Sequence, residues 1–277
     1  MKHNIRAMAI ALTAAAAVAV TSCTGTDQGK TATLAFDTYT GSAAYRLEGS
    51  AADFGQDKDI VYFDSVSLIL PLHLGKCDVQ ALRDSITSLA LDVKGKPIVQ
   101  SINHWLNASA DEQRYKAVKL DDPGAGDYAQ GYDYVNGYVA NLSPDMLVYC
   151  VRCENYPAGD AHPMSTRNYI NYSLEGKGTI ITLQKLFTAD GLAALPQLIA
   201  GQAQSMSDFI GATTVTELPD DGNFYISSEG EIVFAYQPME IAAYSEGPVD
   251  IPFYPYELAE YMTPYGIALF NLQDLNN

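Results

Sequence analysis

Histidine is scarce in this 277-residue chain, and the four present, His3, His73, His104 and His162, are widely separated. There is no H-x-x-x-H, no H-E-x-x-H and no Gly-x-Ser-x-Gly elbow, so the paired imidazoles of a zinc hydrolase and the exposed serine of an α/β-hydrolase are both missing. Cysteine is limited to Cys23, Cys77, Cys150 and Cys153. The Cys150–Cys153 pair has C-x-x-C spacing, but a tetrahedral zinc site needs further paired ligands that the chain does not offer. Basic residues are few as well: Lys and Arg total 16 against 33 Asp and Glu, a net charge of −17. That balance argues against nucleic acid and anionic lipid surfaces as partners; an acidic surface keeps an exported protein soluble, and it would also steer a basic partner toward the chain. These absences lead us to expect no catalytic residue, no metal and no cofactor. An enzyme using His162 with a nearby carboxylate is the least favoured reading, because a catalytic histidine needs a positioned partner that the sequence does not identify.

Long apolar runs are also missing, apart from one near the start. Lys2 and Arg6 precede a small-residue apolar stretch, Ala7 to Val20, and then Val20-Thr21-Ser22-Cys23. This is the pattern of a bacterial lipoprotein leader, in which Cys23 is acylated and becomes the first residue of the mature chain. An ordinary signal peptide and a spanning helix compete with this reading, but a span normally takes about 20 apolar residues. Residues 1–22 are therefore expected to be a leader and 23–33, rich in Thr, Gly and Asp, a tether. Removing Lys2 and Arg6 leaves 14 bases against 33 acids, a mature charge of −19. The protein is expected to be held on a bilayer by lipid at Cys23, at the outer membrane or cell surface.

With 48% hydrophobic residues and 19 Tyr, the remainder can bury a substantial core. Asp59 to Leu72 alternates as a strand. Asp78 can cap a helix with Val79, Leu82, Ile86 and Leu89 inward, and a second helix is predicted over 98–108. A third, short helix is expected from Asp111 to Lys119, followed by a Tyr- and Gly-rich loop from Asp121 to Gly137. Strands are predicted over Met146–Glu154, near Tyr169–Tyr172 and over 178–182, then a helix through Leu192, Leu195, Ile199 and Met206. Pro196 suits only that helix's first turn. If 146–154 is a strand, Cys150 and Cys153 point to opposite faces, about 10 Å apart and too far for a bridge. Whether Cys77 pairs with either is left open.

The last third is the most regular. Phe224-Tyr225-Ile226, a turn at Ser227–Gly230, and Ile232, Phe234 and Tyr236 at period two read as a hairpin. Gly247-Pro248 turns the chain into Val249, Ile251 and Phe253, and Pro255 fits the first position of a helix. We expect an α+β fold of two associated modules, each an antiparallel sheet flanked by helices, spanning 34–144 and 145–277.

Two patches carry a resemblance. Gly159-x-Ala161-His162-Pro163 with Asn171, Gly178, Ile181-Thr-Leu183 and Leu186-Phe187 forms one. Phe224-Tyr-Ile, Gly230, Ile232-Val-Phe, Glu240-Ile241-Ala, Tyr244, Gly247 and Tyr256-Glu-Leu forms the other. Together they resemble the extracytoplasmic domain of RsiV-type, lysozyme-sensing anti-sigma factors, a module also found beside some peptidoglycan deacetylases. The chain departs from that pattern at Asp160, where glycine is usual, and at Ala243, where proline is common. The resemblance implies binding through the Glu240–Gly247 loop, with Ile241, Tyr244, Ser245 and Gly247 as contact residues and His162 in the neighbouring hairpin. The expected function is non-catalytic binding of a lysozyme-like cationic protein, as sensor or inhibitor. A peptidoglycan- or glycan-binding accessory role is the alternative. Tyr128, Tyr132, Tyr134, Tyr138, Tyr254 and Tyr256, read as loop residues, offer further amphipathic rings for contact.

Overall fold

The computed structural model describes residues 15–20, 34–111, 115–120, 131–206 and 214–273. Cys23 and the tether lie outside these residues, as does Tyr128. The fold is α+β, built on an eight-stranded sheet and a three-stranded sheet.

The large sheet is made of β1 (Ala15–Val20), β2 (Leu34–Glu48), β3 (Val61–Leu74), β4 (Lys116–Lys119), β5 (Gly131–Leu142), β6 (Met146–Tyr156), β7 (Met164–Ser173) and β8 (Thr179–Ile181). Its order is β1-β2-β3-β5-β6-β7-β8, with β4 also on β2. All pairs are antiparallel except β3 and β5, which run parallel from Tyr62↔Gly131 to Leu68↔Gly137. That parallel step is forced by the crossover between them, because α1 (Gln80–Leu91) and α2 (Ile98–Asp111) return the chain over one face. Val66, Leu68 and Leu70 of β3 pack there against Leu82, Ile86, Ile102 and Leu106, all buried. Complete burial of each such side chain contributes about 1.5–3 kcal/mol. Gly137 leaves room for two side chains at this interface. A Cβ there would lie 2.6 Å from Leu68 Cδ2 and 2.4 Å from the Tyr149 hydroxyl.

The second sheet comprises β9 (Phe224–Ile226), β10 (Ile232–Tyr236) and β11 (Val249–Phe253), in the order β11-β10-β9. Its core of Phe234, Ile251 and Phe253 takes in Leu195 and Ile199 of α4 (Ala189–Ser205) and Leu186 of the single turn α3 (Leu183–Leu186). A 3₁₀ turn over Pro255–Tyr261 and a short α5 (Pro264–Leu269) close this half.

Several expectations change. The segment expected as a short helix from Asp111 contains β4, which pairs Lys116 to Lys119 with Glu48 to Tyr45. The last seven residues of the expected Tyr-rich loop, from Gly131, belong to β5, whose ladder partners on both sides override its glycines. Pro196 sits inside α4, well past the first turn, where burial of Leu195 and Ile199 outweighs the missing N–H. The helix expected after Pro255 is a 3₁₀ segment. Separately, strands β5 and β6, on either side of residues 144 and 145, pair from Tyr132↔Tyr156 to Leu142↔Leu147. Ala15–Val20, within the residues expected to be a leader, pairs with β2, Val20 opposite Leu34.

Candidate functional site

The two sheets are joined by side-chain amides where a backbone ladder would otherwise be. Asn171 donates to the Phe224 carbonyl at 2.9 Å and accepts from the Ile226 N–H at 2.9 Å. Asn223 accepts from the Tyr169 N–H at 3.0 Å and donates to the carbonyls of Arg167 and Ala235, each at 2.8 Å. Gln237, just past β10, accepts from the Arg167 N–H at 2.9 Å and donates back to its carbonyl at 2.6 Å. An ion pair of Arg167 with Asp250 at 3.1 Å reinforces this seam. Burial raises the Asp250 carboxyl above its ordinary range, while Arg167 and Tyr225 act in the opposite direction.

The seam positions the connection from β10 to β11, residues Gln237–Gly247. Glu240 ties its base by accepting from the N–H groups of Asp220 at 2.6 Å and Gln237 at 2.5 Å. Ile241 is buried in the second core, and its carbonyl accepts from Thr214 N–H at 2.8 Å. At the far end the Tyr244 ring stacks on His162, with centroids 3.7 Å apart and planes at 15°. The Tyr244 hydroxyl donates to the Pro163 carbonyl. Gly247 ends the loop at φ 69°, a conformation that suits glycine. Met239 adopts φ 70° and is 64% exposed, so an apolar side chain is held outward by a backbone that non-glycine residues rarely adopt.

Of the residues expected to make contact, the structure thus brings His162 and Tyr244 together, from the β6–β7 hairpin and the β10–β11 loop. Ser245 is exposed beside them and Gly247 ends the loop. The structure places the Ile241 side chain in the second core, where it anchors the loop from within. Met239 and Glu246, both exposed, were not singled out from the sequence. Met239 follows Pro238 in a turn where only backbone geometry reveals its outward placement.

Nothing in this site resembles a metal centre, and among the described residues no group of His, Cys, Asp and Glu is arranged to hold a metal ion. Cys77, Cys150 and Cys153 are unbridged. Cys150 pairs across to Tyr138 and Tyr169 on one face of β6, and Cys153 to Val135 and Thr166 on the other. A cavity of about 1070 Å³ lies between α1, β7 and the segment before β9. Asp92 and Asp221 line it with left-handed φ of 51° and 55°. None of the expected contact residues lines this cavity.

The loop falls within a recognisable stretch, whereas His162, Pro163, Arg167 and Asn171, which support it, precede that stretch. Residues 184–257 match a family model described as a protein of unknown function, DUF3298. A crystal structure of a DUF3298 family member from Bacteroides fragilis is similar, with a TM-score of 0.57 and 18% identity over 84% of this chain and 95% of that one. A DUF3298 family protein from Pseudomonas aeruginosa is similar too, with a TM-score of 0.56 and 12% identity over 82% of this chain and 94% of that one. At these identities the likeness shows the fold. No curated protein matches the chain.

Proposed function

We propose that this chain is a non-catalytic, lipid-anchored binding protein of the bacterial cell envelope, whose Gln237–Gly247 loop engages a lysozyme-like cationic protein as sensor or inhibitor. The observation that carries the reading is that this loop is pinned at Glu240, Ile241 and Tyr244 while Met239, Ser245 and Glu246 face solvent. A loop already held in one conformation loses little entropy on binding, so its few exposed groups can contribute most of their contact energy. Glu246, also exposed, adds local negative charge to an already acidic chain, which suits a basic partner. The resemblance to RsiV-type domains supports the same partner class, and the stretch matching the family model contains the loop. Acylation at Cys23 would hold the protein at the outer membrane or cell surface. Among the described residues no helix is long and apolar enough to cross a membrane.

Binding of the purified protein to a c-type lysozyme, by surface plasmon resonance at low and physiological salt, tests this reading. Saturable binding weakened by Tyr244→Ala supports it, and no binding at low salt removes it. The alternative is a peptidoglycan-binding accessory role, tested by co-sedimentation with purified peptidoglycan. Release of reducing ends or acetate in that assay would instead make the chain an enzyme.

A further inference from the structure

The face of the large sheet opposite α1 and α2 carries an ordered set of side chains that the loop reading does not use. Ladder register aligns them in rows across the strands. Phe63, Tyr132 and Tyr156 form one row, through Phe63↔Tyr132 and Tyr132↔Tyr156. The next runs through Ser42, Ser65, Tyr134 and Glu154, and the third through Thr40, Ser67, Asn136 and Arg152. The rings touch one another. Tyr132 and Tyr134 stack at 4.3 Å and 14°, Tyr134 meets Phe63 edge-on at 6.1 Å, and Tyr156 lies 5.5 Å from Tyr132. All four are only partly buried. Beside them the two polar rows line a groove of about 660 Å³.

The charges here are balanced. Glu154 accepts from the Tyr132 hydroxyl at 2.7 Å and from Arg152 at 3.2 Å, and Arg152 also donates to Ser165 at 3.2 Å. A site for an anion would leave a cation uncommitted, and a site for a cation would leave a carboxylate so. This groove commits both, within a chain whose net charge is −17. What it offers is the ring of Tyr134, the one of the four that lines the groove, next to hydroxyls, an amide and a pre-paired Arg–Glu.

We propose that this face is a binding platform for a neutral, unbranched oligosaccharide of flat-faced pyranose rings. The C–H faces of such sugars stack on aromatic rings, whose negative π faces attract the slightly positive hydrogens. Their equatorial hydroxyls need donors and acceptors at the ring edge, which Ser65, Ser67, Asn136 and Arg152 provide. A purely apolar ligand would bury those groups unpaired, at a cost of about 1–3 kcal/mol each. The groove volume lies within the range of about 300–1,000 Å³ typical of small-ligand sites. Its side chains stand on paired strands, so they are positioned before the ligand arrives. The inference is independent of the loop and goes beyond the protein-binding reading.

Isothermal titration calorimetry of the full chain against neutral chito-, cello-, xylo- and malto-oligosaccharides tests it. At least one series should bind with an affinity that rises with length and then levels off once the groove is full. Tyr134→Ala should weaken that binding about tenfold or more, as loss of one stacking ring implies. Asn136→Ala changes an exposed side chain and should weaken binding several-fold with no change in thermal stability, which keeps the test valid if Tyr134→Ala fails to fold. Val99→Ser, on α2 across the sheet, should leave affinity unchanged. The proposal is overturned if no series binds at millimolar concentration, or if binding is indifferent to Asn136→Ala and to a folded Tyr134→Ala.

Discussion

The side-chain amide of Asn171 in β7 donates to the carbonyl of Phe224 in β9, at 2.9 Å and out of contact with water. With its oxygen also accepting from the Ile226 N–H, one residue satisfies a donor and an acceptor of another sheet's edge strand. Asn171→Ala removes both partners at once and leaves two buried backbone groups unpaired. Each such group costs about 1–3 kcal/mol, so urea unfolding should show a loss of about 2–6 kcal/mol. An unchanged midpoint would mean that water replaces the amide and that the seam is softer than its geometry implies.

How far this architecture was legible from the sequence depended on local pattern. The hairpin β9–β10 and the strand β11 were legible because large apolar residues alternate and the turns carry Gly230 and Gly247. Helices α1 and α2 were legible from their 3–4 spacing. β5 was not, because its strand character comes from two ladders formed with distant partners and not from the run Gly131-Tyr-Asp-Tyr. β2 carries small and polar residues on its uncovered face, which blurred the alternation, and it went unrecognised. The candidate site divides in the same way. His162 and Tyr244 were each visible as loop residues, but their stacking depends on the tertiary seam. The burial of Ile241 was not legible, because a loop residue's burial is set by what lies beneath it.

The thiols provide a check on the strand assignment. Burial pushes Cys153 up to about 11 and also raises Cys150 and Cys77 above the ordinary thiol value, so little thiolate is present near neutrality. In a Cys23→Ala background all three should react slowly with a thiol reagent at pH 8. Cys77 and Cys153 are less enclosed than the buried Cys150. Cys150 should therefore label last, and only on unfolding. Mass mapping that finds a Cys150–Cys153 bridge would contradict their placement on opposite faces of β6.

Tyr132 gives a pH signature. The hydrogen bond to Glu154, followed by burial and nearby negative charge, raises its phenol to about 12. A folded-state value above the unfolded value means that this contribution is complete below about pH 10 and is lost as pH rises through about 12. Absorbance at the tyrosinate band should show a late-ionising fraction. Glu154→Gln should move part of that fraction to lower pH, because the charged acceptor that holds the proton is gone. An identical titration in this variant would mean that the hydrogen bond is not formed in solution.

The loop reading makes its sharpest demand on His162. Its ring lies flat against Tyr244 at 3.7 Å, and the Tyr244 hydroxyl is already committed to the Pro163 carbonyl. Tyr244 therefore acts first as a strut that holds the loop, and contact with a partner falls to Met239, Ser245 and Glu246. If so, His162→Ala and Tyr244→Ala should each speed dissociation of a bound lysozyme about tenfold, equivalent to about 1.4 kcal/mol, and the double variant should add little. Non-additivity is the mark of two residues acting through one contact. Glu246→Gln should mainly slow association, and added salt should do the same, since long-range attraction is screened over about 8 Å at physiological ionic strength. If Tyr244→Ala alone weakens binding while His162→Ala is silent, the phenol touches the partner directly and the strut is unnecessary. If binding disappears with salt and ignores both residues, the acidity of the chain is sufficient and the loop is not the site.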